Sequence, residues 1–230
     1  MPVGPGVIRV HSDIACPWAH LFVHRLRRQQ EELGVEGDVR IEHRALPLEL
    51  INGRAGTVDL LNAEIEVLRE VEPDAGWSTF SGDPSTYPVT SLPALVAVQA
   101  AQDPEIGRPE ALDAALRRAW FGEWRSLSLY PVVFEVASEV EDLDVDALEA
   151  AIRTGRPQAE VWRHLDEFRA HDLQGSPQVL LHDGTSIHNP GITFHWEGGE
   201  PGKGALVIDE DDPGVVTRLV EQALASMRFD

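Results

Sequence analysis

Hydrophobic residues at the beginning of the chain follow a strand, helix and strand pattern. Residues 7–11 are rich in β-branched side chains and follow a leader of Gly and Pro, which indicates a short β-strand. Residues 16–33 carry apolar side chains at near-helical spacing before Gly34, as an amphipathic helix does. Residues 39–46 alternate apolar and polar side chains, which predicts a second, half-buried strand. The first unit is therefore predicted to be β-α-β.

The middle of the chain has a different pattern. Across residues 58–169, apolar side chains recur at helical spacing and no strand signal is evident, which predicts a block of helices. The longest loop of this block is predicted at 73–88, which is rich in Gly and Pro. Pro109 and Pro157 are expected in first helical turns, where a missing N–H costs no hydrogen bond.

Strand signals return near the end of the chain. Two β-rich runs, 178–182 and 185–188, flank the pair Asp183-Gly184, and an Asp-Gly pair between such runs is a strong sign of a β-hairpin. Residues 189–203 are rich in Gly and Pro and are predicted as a loop. A short strand is predicted to follow at 205–208.

The chain is predicted to close with an amphipathic helix, whose apolar side chains run from Val216 to Met227. The complete order, β-α-β, helical block and β-β-α, is that of an α/β protein with a thioredoxin-like fold and an all-helical insertion. We predict a discontinuous thioredoxin-like domain of residues 1–57 and 170–230. The helical insertion domain is predicted to span residues 58–169.

Charge and hydropathy narrow the possible partners. The formal net charge is −20, which excludes nucleic acids and anionic membranes as partners because such ligands are held by many Lys and Arg side chains. The acidic run 209–212 precedes Pro213 and is interpreted as an N-terminal helix cap. No stretch approaches the roughly 20 apolar residues of a membrane span, and the chain begins without the features of a signal peptide. We therefore expect a cytoplasmic protein.

Cys16 is the only cysteine of the 230 residues, and it stands between the first predicted strand and helix. A thiol at a helix start meets unpaired N–H groups and the positive end of the helix dipole, which both favour the thiolate. Pro17 suits the first helical turn, whereas Ala19 stands where a C-x-x-C pair has its second sulfur. Because the chain has one cysteine, it cannot form an internal disulfide, which agrees with a reducing compartment. The alternative interpretation of Cys16 is a small buried hydrophobe.

Three neighbours of Cys16 are candidates for shaping its environment. A protonated His20, one turn along the helix, would help to lower the pKa of the thiol below about 8.5, although a solvent-facing helix surface explains this histidine equally well. Asp13 is expected either to cap a turn or to act as a buried acid that tunes the thiol. Trp18 is expected either to pack in the core or to form the wall of a thiol-substrate groove. His20 and His24 have no third ligand nearby, and we predict no metal site.

The chain contains Asp13-x-x-Cys16-Pro17-Trp18, the stretch 44–50 after the second strand, the helical block and Gly175-Ser176-Pro177 before the hairpin. Together these features resemble the DsbA family, in particular its cytosolic FrnE-like branch. This branch grades into the 2-hydroxychromene-2-carboxylate isomerases and the kappa-class glutathione transferases. The resemblance extends over nearly the whole chain, which makes it more specific than any single motif.

The resemblance implies roles for individual residues. Cys16 matches the nucleophilic cysteine of the family, while Ala19 occupies the place of the resolving cysteine and departs from the pattern. Pro177 matches the cis-proline that faces the thiol, and the backbone of Ser176 is expected to pair with an extended thiol substrate. Pro17 and Trp18, beside the nucleophile, are expected to belong to the same substrate-binding surface.

The missing second sulfur determines the mechanism that we expect. Cys16 would attack a disulfide or a thiol adduct, and release of the product would require an outside thiol. The expected partners are a small-molecule thiol such as glutathione or a protein mixed disulfide, with no tightly bound cofactor, and a homodimer is compatible with the sequence. A glutathione-dependent transferase or isomerase is the second hypothesis. A non-catalytic binding module on the same fold is the third.

Overall fold

The computed structural model describes residues 2–228, and its central sheet has four strands. These are β1 (Val7–Ser12), β2 (Arg40–Ala45), β3 (Gln178–Leu180) and β4 (Ser186–His188), in the order β2-β1-β3-β4. β1 and β2 are parallel, whereas β3 is antiparallel to both of its neighbours. The predicted β-α-β unit and the predicted Asp-Gly hairpin are therefore confirmed.

The helices follow the predicted order. Among residues 2–228 the α-helices are α1 (Pro17–Leu33), α2 (Leu48–Asn52), α3 (Val58–Val71), α4 (Leu92–Ala101), α5 (Pro109–Phe121), α6 (Tyr130–Ser138), α7 (Val145–Arg153), α8 (Arg156–Ala170) and α9 (Gly214–Ser226). Pro109 and Pro157 lie in first helical turns, as predicted. The short helix α2 was not predicted. No helix in the described part of the chain is both long enough and apolar enough to span a membrane.

The two faces of the central sheet differ in polarity because side chains alternate along each strand. Ile8 and Val10 of β1 and Ile41 of β2 are buried in an apolar cluster with α1 and α9. The other face carries the polar side chains of Arg9, His11, Glu42 and Arg44, and β2 contacts α8. There His164 of α8 lies 2.8 Å from a guanidinium nitrogen of Arg44 on β2.

A second sheet corrects the sequence-based prediction for residues 189–203. This segment contains β5 (Ile192–Glu197), which pairs antiparallel with β6 (Ala205–Asp211) in a separate two-stranded sheet. The predicted strand at 205–208 is therefore confirmed but longer. The hairpin contacts α3 of the helical block, and its Phe194 side chain stacks on Trp18 at the start of α1.

The acidic run 209–212 is also corrected. Its first three residues belong to β6 rather than to a helix cap, and the Asp211 carboxylate binds the Arg25 guanidinium at 2.6 and 2.9 Å. Only Asp212 serves the helix start, where its Oδ1 accepts a hydrogen bond from Gly214 N at 3.0 Å.

Residues 58–169 are helical in the structure, with loops and short 3₁₀ turns and with no strand among them. Their buried side chains form one apolar cluster that continues to Ala45 at the end of β2 and to Cys16 and Trp18 at the start of α1. The core therefore connects the helical block directly to the segment that contains the cysteine.

Candidate functional site

Cys16 lies at the N-cap of α1, immediately after the turn that follows β1. Its backbone is extended, with φ −87° and ψ 116°, and Pro17 is the first helical residue. The Cys16 carbonyl accepts the hydrogen bond of His20 N at 3.0 Å, which begins the helix. The side chain is only 4% exposed.

The pairing of β1 with β3 brings the loop around Pro177 against this turn. The Ser176–Pro177 peptide bond is cis, and the Cys16 thiol donates a hydrogen bond to the Ser176 carbonyl oxygen, with Sγ and O 3.1 Å apart. Ser176 Oγ also accepts a hydrogen bond from Asp13 N at 2.9 Å. The structure thus brings together the cysteine and the Ser-Pro pair that the family resemblance implied.

Asp13 has a structural role in this arrangement. Its Oδ1 accepts a hydrogen bond from Ala15 N at 2.9 Å, and its Oδ2 accepts one from Leu48 N at 2.7 Å. The carboxyl therefore closes the turn before Cys16 and ties it to the beginning of α2. Burial raises the pKa of this acid, and its charge in turn raises the pKa of the Cys16 thiol.

Arg117 of α5 supports the same turn from the helical block. Its guanidinium donates hydrogen bonds to the Asp13 carbonyl at 3.0 Å and to Ser12 Oγ at 2.9 Å. It also forms a buried ion pair with Asp113, with a shortest distance of 2.8 Å. Arg117 was not predicted as a site residue, because a guanidinium on an amphipathic helix is usually a solvated group.

The predicted thiolate is corrected by the structure. Burial raises the pKa of Cys16 to about 12, and the charges of Glu64 and Asp13 act in the same direction. Hydrogen bonds from the Ser176 side chain and from the Ala19 backbone oppose this rise but do not cancel it. At neutral pH the sulfur is therefore a protonated thiol, as its donation to the Ser176 carbonyl requires.

His20 does not tune the thiol in the predicted way. Its Nε2 lies 2.7 Å from the Ala75 carbonyl oxygen, and its ring packs against Trp77 and Phe121. Burial lowers the pKa of His20 to about 3, so the ring is neutral at physiological pH. The predicted protonated histidine beside the sulfur is therefore wrong.

A cavity of about 300 Å³ opens at Cys16. Its walls come from the turn before α1, from α2 and α3, from the loop before α4, and from β4 and β5. Arg54 is the only Lys or Arg among the residues of the described chain that line it. The lining includes Asp13, Cys16, Pro17, Trp18, Leu48, Glu49, Arg54, Leu61, Glu64, Tyr87, Val89, Thr90, Trp120, Ser176, His188, Asn189 and Phe194.

Trp18 is buried, with 5% of its surface exposed, and it also lines the cavity. Its indole ring stacks on Phe194 of β5, with ring centroids 3.8 Å apart and planes within 2° of parallel. Its Nε1 donates a hydrogen bond to Glu64 Oε1 at 3.0 Å. Burial raises the pKa of this carboxyl to about 7. Neither Phe194 nor Glu64 was predicted from the sequence.

His188, the last residue of β4, lies in the cavity wall. A Cβ atom at position 175 would lie 2.7 Å from His188 Nε2, so Gly175 provides the space that this ring occupies. The next residue, Asn189, donates its N–H to the Pro177 carbonyl at 3.1 Å. Burial lowers the pKa of His188.

The polar groups of the cavity can hold a small organic molecule better than a metal ion. Within residues 2–228, no cluster of three or more His, Cys, Asp or Glu side chains could ligate a metal. The cavity lining offers an organic molecule the Cys16 thiol, the aromatic rings of Trp18 and Phe194, and the Arg54 guanidinium.

The chain matches no protein-family model and no curated protein sequence. It does resemble solved structures. The cytosolic disulfide reductase DsbM from Pseudomonas aeruginosa, solved with glutathione, has a TM-score of 0.60 and 19% identity over 95% of this chain and 99% of DsbM. A probable DsbA oxidoreductase from Streptomyces coelicolor has a TM-score of 0.63 and 20% identity over 95% of this chain and 90% of its own.

A third structure, of 2-hydroxychromene-2-carboxylate isomerase, has a TM-score of 0.53 and 16% identity over 79% of this chain and 87% of its own. These similarities confirm the predicted fold class, which is the thioredoxin-like fold of DsbA type with a helical insertion. They also agree with the resemblance to DsbA-like oxidoreductases and to the isomerase.

Proposed function

We propose that this protein catalyses thiol–disulfide exchange through Cys16 alone. One observation carries the proposal: Cys16 Sγ lies 3.1 Å from the Ser176 carbonyl, beside the cis bond to Pro177, at a cavity that a small molecule can enter. In the proposed reaction the Ser176 backbone pairs with an extended substrate on that side of the sulfur.

The absence of a second cysteine defines the steps of the reaction. Cys16 loses its proton and attacks one sulfur of a disulfide R–S–S–R′, which gives the mixed disulfide Cys16–S–S–R and releases R′–S⁻. Ala19 cannot provide a resolving thiol. A second thiol from solution therefore attacks the sulfur of R, forms a new disulfide with it and regenerates Cys16 as the leaving group.

The co-substrate that we propose is a low-molecular-weight thiol, with glutathione as the leading candidate. The cavity volume is at the lower end of the range for small-molecule sites, and the exposed Arg54 offers a guanidinium to a carboxylate of such a thiol. The DsbM structure contains glutathione. A mixed disulfide on a protein is the alternative substrate, and we place the reaction in the cytoplasm.

One observation favours a second function, a glutathione-dependent transferase or isomerase. The Cys16 thiol is protonated, with its pKa raised to about 12, so it is able to donate a hydrogen bond to the thiolate of a bound co-substrate. The similarity to 2-hydroxychromene-2-carboxylate isomerase is consistent with this function. Tight, non-covalent binding of reduced glutathione to the Cys16→Ser variant in isothermal titration would favour it.

The proposed exchange is tested by incubating the protein with oxidised glutathione and following the intact mass. We expect one glutathione adduct, formed faster at pH 10 than at pH 7, because the Cys16 thiolate fraction rises with pH below a pKa of about 12. Cys16→Ser is the control and should form none. Absence of an adduct on the unaltered protein across this range would refute the proposal.

A further inference from the structure

Glu64 differs from the other carboxyl groups of the cavity. Both oxygens of Asp13 accept backbone hydrogen bonds, and Glu49 accepts a hydrogen bond from the Thr90 hydroxyl at 2.5 Å. Glu64, on α3, accepts one hydrogen bond, from Trp18 Nε1 at 3.0 Å. None of the ion pairs found among residues 2–228 involves Glu64. Its second oxygen is therefore available to the cavity.

The position of Glu64 couples it to the reacting sulfur. Glu64, Cys16 and Tyr87 line the same cavity. Burial raises the pKa of Cys16 and that of Tyr87, on the loop before α4, and the negative charge of Glu64 adds to both rises. The other charged or titratable side chains that line the cavity are Asp13, Glu49, Arg54 and His188. Among these, Arg54 is exposed and Asp13 is fully hydrogen-bonded.

Burial brings the pKa of Glu64 close to neutral pH, as proton transfer in both directions requires. Desolvation raises its pKa to about 7 against the smaller opposing effect of the Trp18 hydrogen bond. At neutral pH the carboxyl therefore exists in comparable amounts as an acid and as a carboxylate, which is the condition for efficient proton transfer in both directions. An ordinary glutamate, with a pKa near 4.3, would be a weaker base toward a thiol.

The proposed function includes two proton transfers in which such a group can take part. The thiol that resolves the mixed disulfide must lose a proton, and the Cys16 thiolate that leaves must gain one. The neutral His20 cannot serve, because its ring lies against Trp77 and Phe121 instead of lining this cavity.

We propose that Glu64 accepts the proton of the incoming thiol and returns it to Cys16 Sγ. In this step R″SH transfers its proton to the Glu64 carboxylate while its sulfur attacks the sulfur of R in Cys16–S–S–R. The bond between Cys16 and R breaks, R″–S–S–R forms, and the Cys16 thiolate receives the proton from Glu64. Glu64 is unchanged at the end, and no other oxidant or reductant is required. The inference rests on the proposed exchange function.

The experiment starts from the isolated mixed disulfide of Cys16 with glutathione. Its cleavage by reduced glutathione is followed by mass spectrometry from pH 5.5 to 9 in the unaltered protein, in Glu64→Gln and in Glu64→Asp. Glu66→Gln, an exposed position on the same helix, is the matched control. Glutamine retains an oxygen that accepts the Trp18 hydrogen bond but cannot carry the proton.

We expect Glu64→Gln to slow cleavage by about 10²- to 10⁴-fold, the usual range for a lost acid–base group. The ionisation near pH 7 should disappear from its rate profile, remain in Glu64→Asp at a reduced rate, and be unaffected in Glu66→Gln. Alkylation of free Cys16 by iodoacetamide should be no slower in Glu64→Gln, because removal of a negative charge does not raise the thiol pKa.

Two outcomes would overturn this assignment. Cleavage of the mixed disulfide at an unchanged rate and pH profile in Glu64→Gln would show that Glu64 carries no proton. A parallel loss of cleavage and alkylation would show that the substitution merely disturbs access to the sulfur. Failure of the unaltered protein to form the mixed disulfide would instead refute the exchange function itself, and the two failures are therefore distinguishable.

Discussion

Two opposing effects act on the Cys16 thiol. Its place at the N-cap of α1 favours the thiolate by about 0.3 to 2 kcal/mol, the range for a charge at a helix terminus. Burial favours the protonated form, and the net rise of its pKa from 9.0 to about 12 corresponds to about 4 kcal/mol. Burial is therefore the larger effect, and reactivity depends on a group that can take the proton.

Restoring the second sulfur tests whether the single-cysteine mechanism follows from Ala19. Ala19 is fully buried, one helical turn after Cys16. In Ala19→Cys we expect oxidised glutathione to produce an internal disulfide instead of a lasting glutathione adduct. Intact mass then shows the loss of two hydrogens.

Ala19→Ser is the matched control for this substitution, because it adds a similar volume but cannot form a disulfide. Both variants should lower the stability of the reduced protein by about 1 to 3 kcal/mol, since the added atom enters a packed position. A stable glutathione adduct on Ala19→Cys would show that position 19 does not reach the Cys16 sulfur.

At the scale of elements, the β5–β6 hairpin completes the cavity. Phe194 of β5 stacks on Trp18, and both rings line the space beside Cys16. This strand was detectable in the sequence, because Ile192, Phe194 and Trp196 alternate with polar residues. The surrounding Gly and Pro residues obscured that alternation. Its position over α1 was not predictable, since it depends on tertiary contacts of a separate sheet.

We predict that Phe194 helps to keep the pKa of the Cys16 thiol raised by excluding water from the cavity. Phe194→Ala removes one wall of the cavity and admits water, which reduces the desolvation that raises the Cys16 pKa. We expect alkylation of Cys16 by iodoacetamide at pH 8 to become faster, by about tenfold for each pKa unit recovered. His195→Ala, an exposed neighbour on the opposite side of the strand, should leave the rate unchanged. Slower alkylation in Phe194→Ala would contradict this role.

The site itself was only partly predictable from the sequence. The family resemblance related Cys16 to Ser176 and Pro177, and strand pairing in the structure brings these residues into contact. Glu64 and Arg117 had no such signal, because a carboxylate or guanidinium on an amphipathic helix is usually a solvated group. The raised thiol pKa also depends on burial by several distant segments, which local sequence does not describe.

At the scale of the whole molecule, the helical block and the central sheet are in direct contact around the site. Arg117 of α5 holds the turn before Cys16, and His164 of α8 accepts a hydrogen bond from Ala45 N at the end of β2. The apolar core also crosses from the sheet into the helices. The domain boundaries at 57/58 and 169/170 remain a prediction, as does a homodimer.

Buried neutral histidines make the stability of the whole molecule sensitive to acid. Burial lowers the pKa of His11 and His20 to about 3 and that of His164 to about 2. In the unfolded chain these rings titrate near 6.5. Between these values the unfolded state binds more protons, so the free energy of unfolding decreases as the pH falls below about 6.5. Glu64, with its pKa raised to about 7, opposes this trend, as do Asp13 and Glu49, whose pKa values burial also raises.

His11 offers the sharpest test of this pH dependence. It is completely buried in β1, and neither ring nitrogen has a hydrogen-bond partner within residues 2–228. We expect urea unfolding to show a stability that falls between pH 8 and pH 5, with up to about 1.4 kcal/mol per pH unit for each proton involved. His11→Phe should reduce the slope of the unfolding free energy against pH by the amount that corresponds to nearly one proton, because the unfolded variant binds one proton fewer. The exposed His195→Gln should not reduce it, and a stability that is constant from pH 8 to pH 5 would mean that the buried rings are not held neutral.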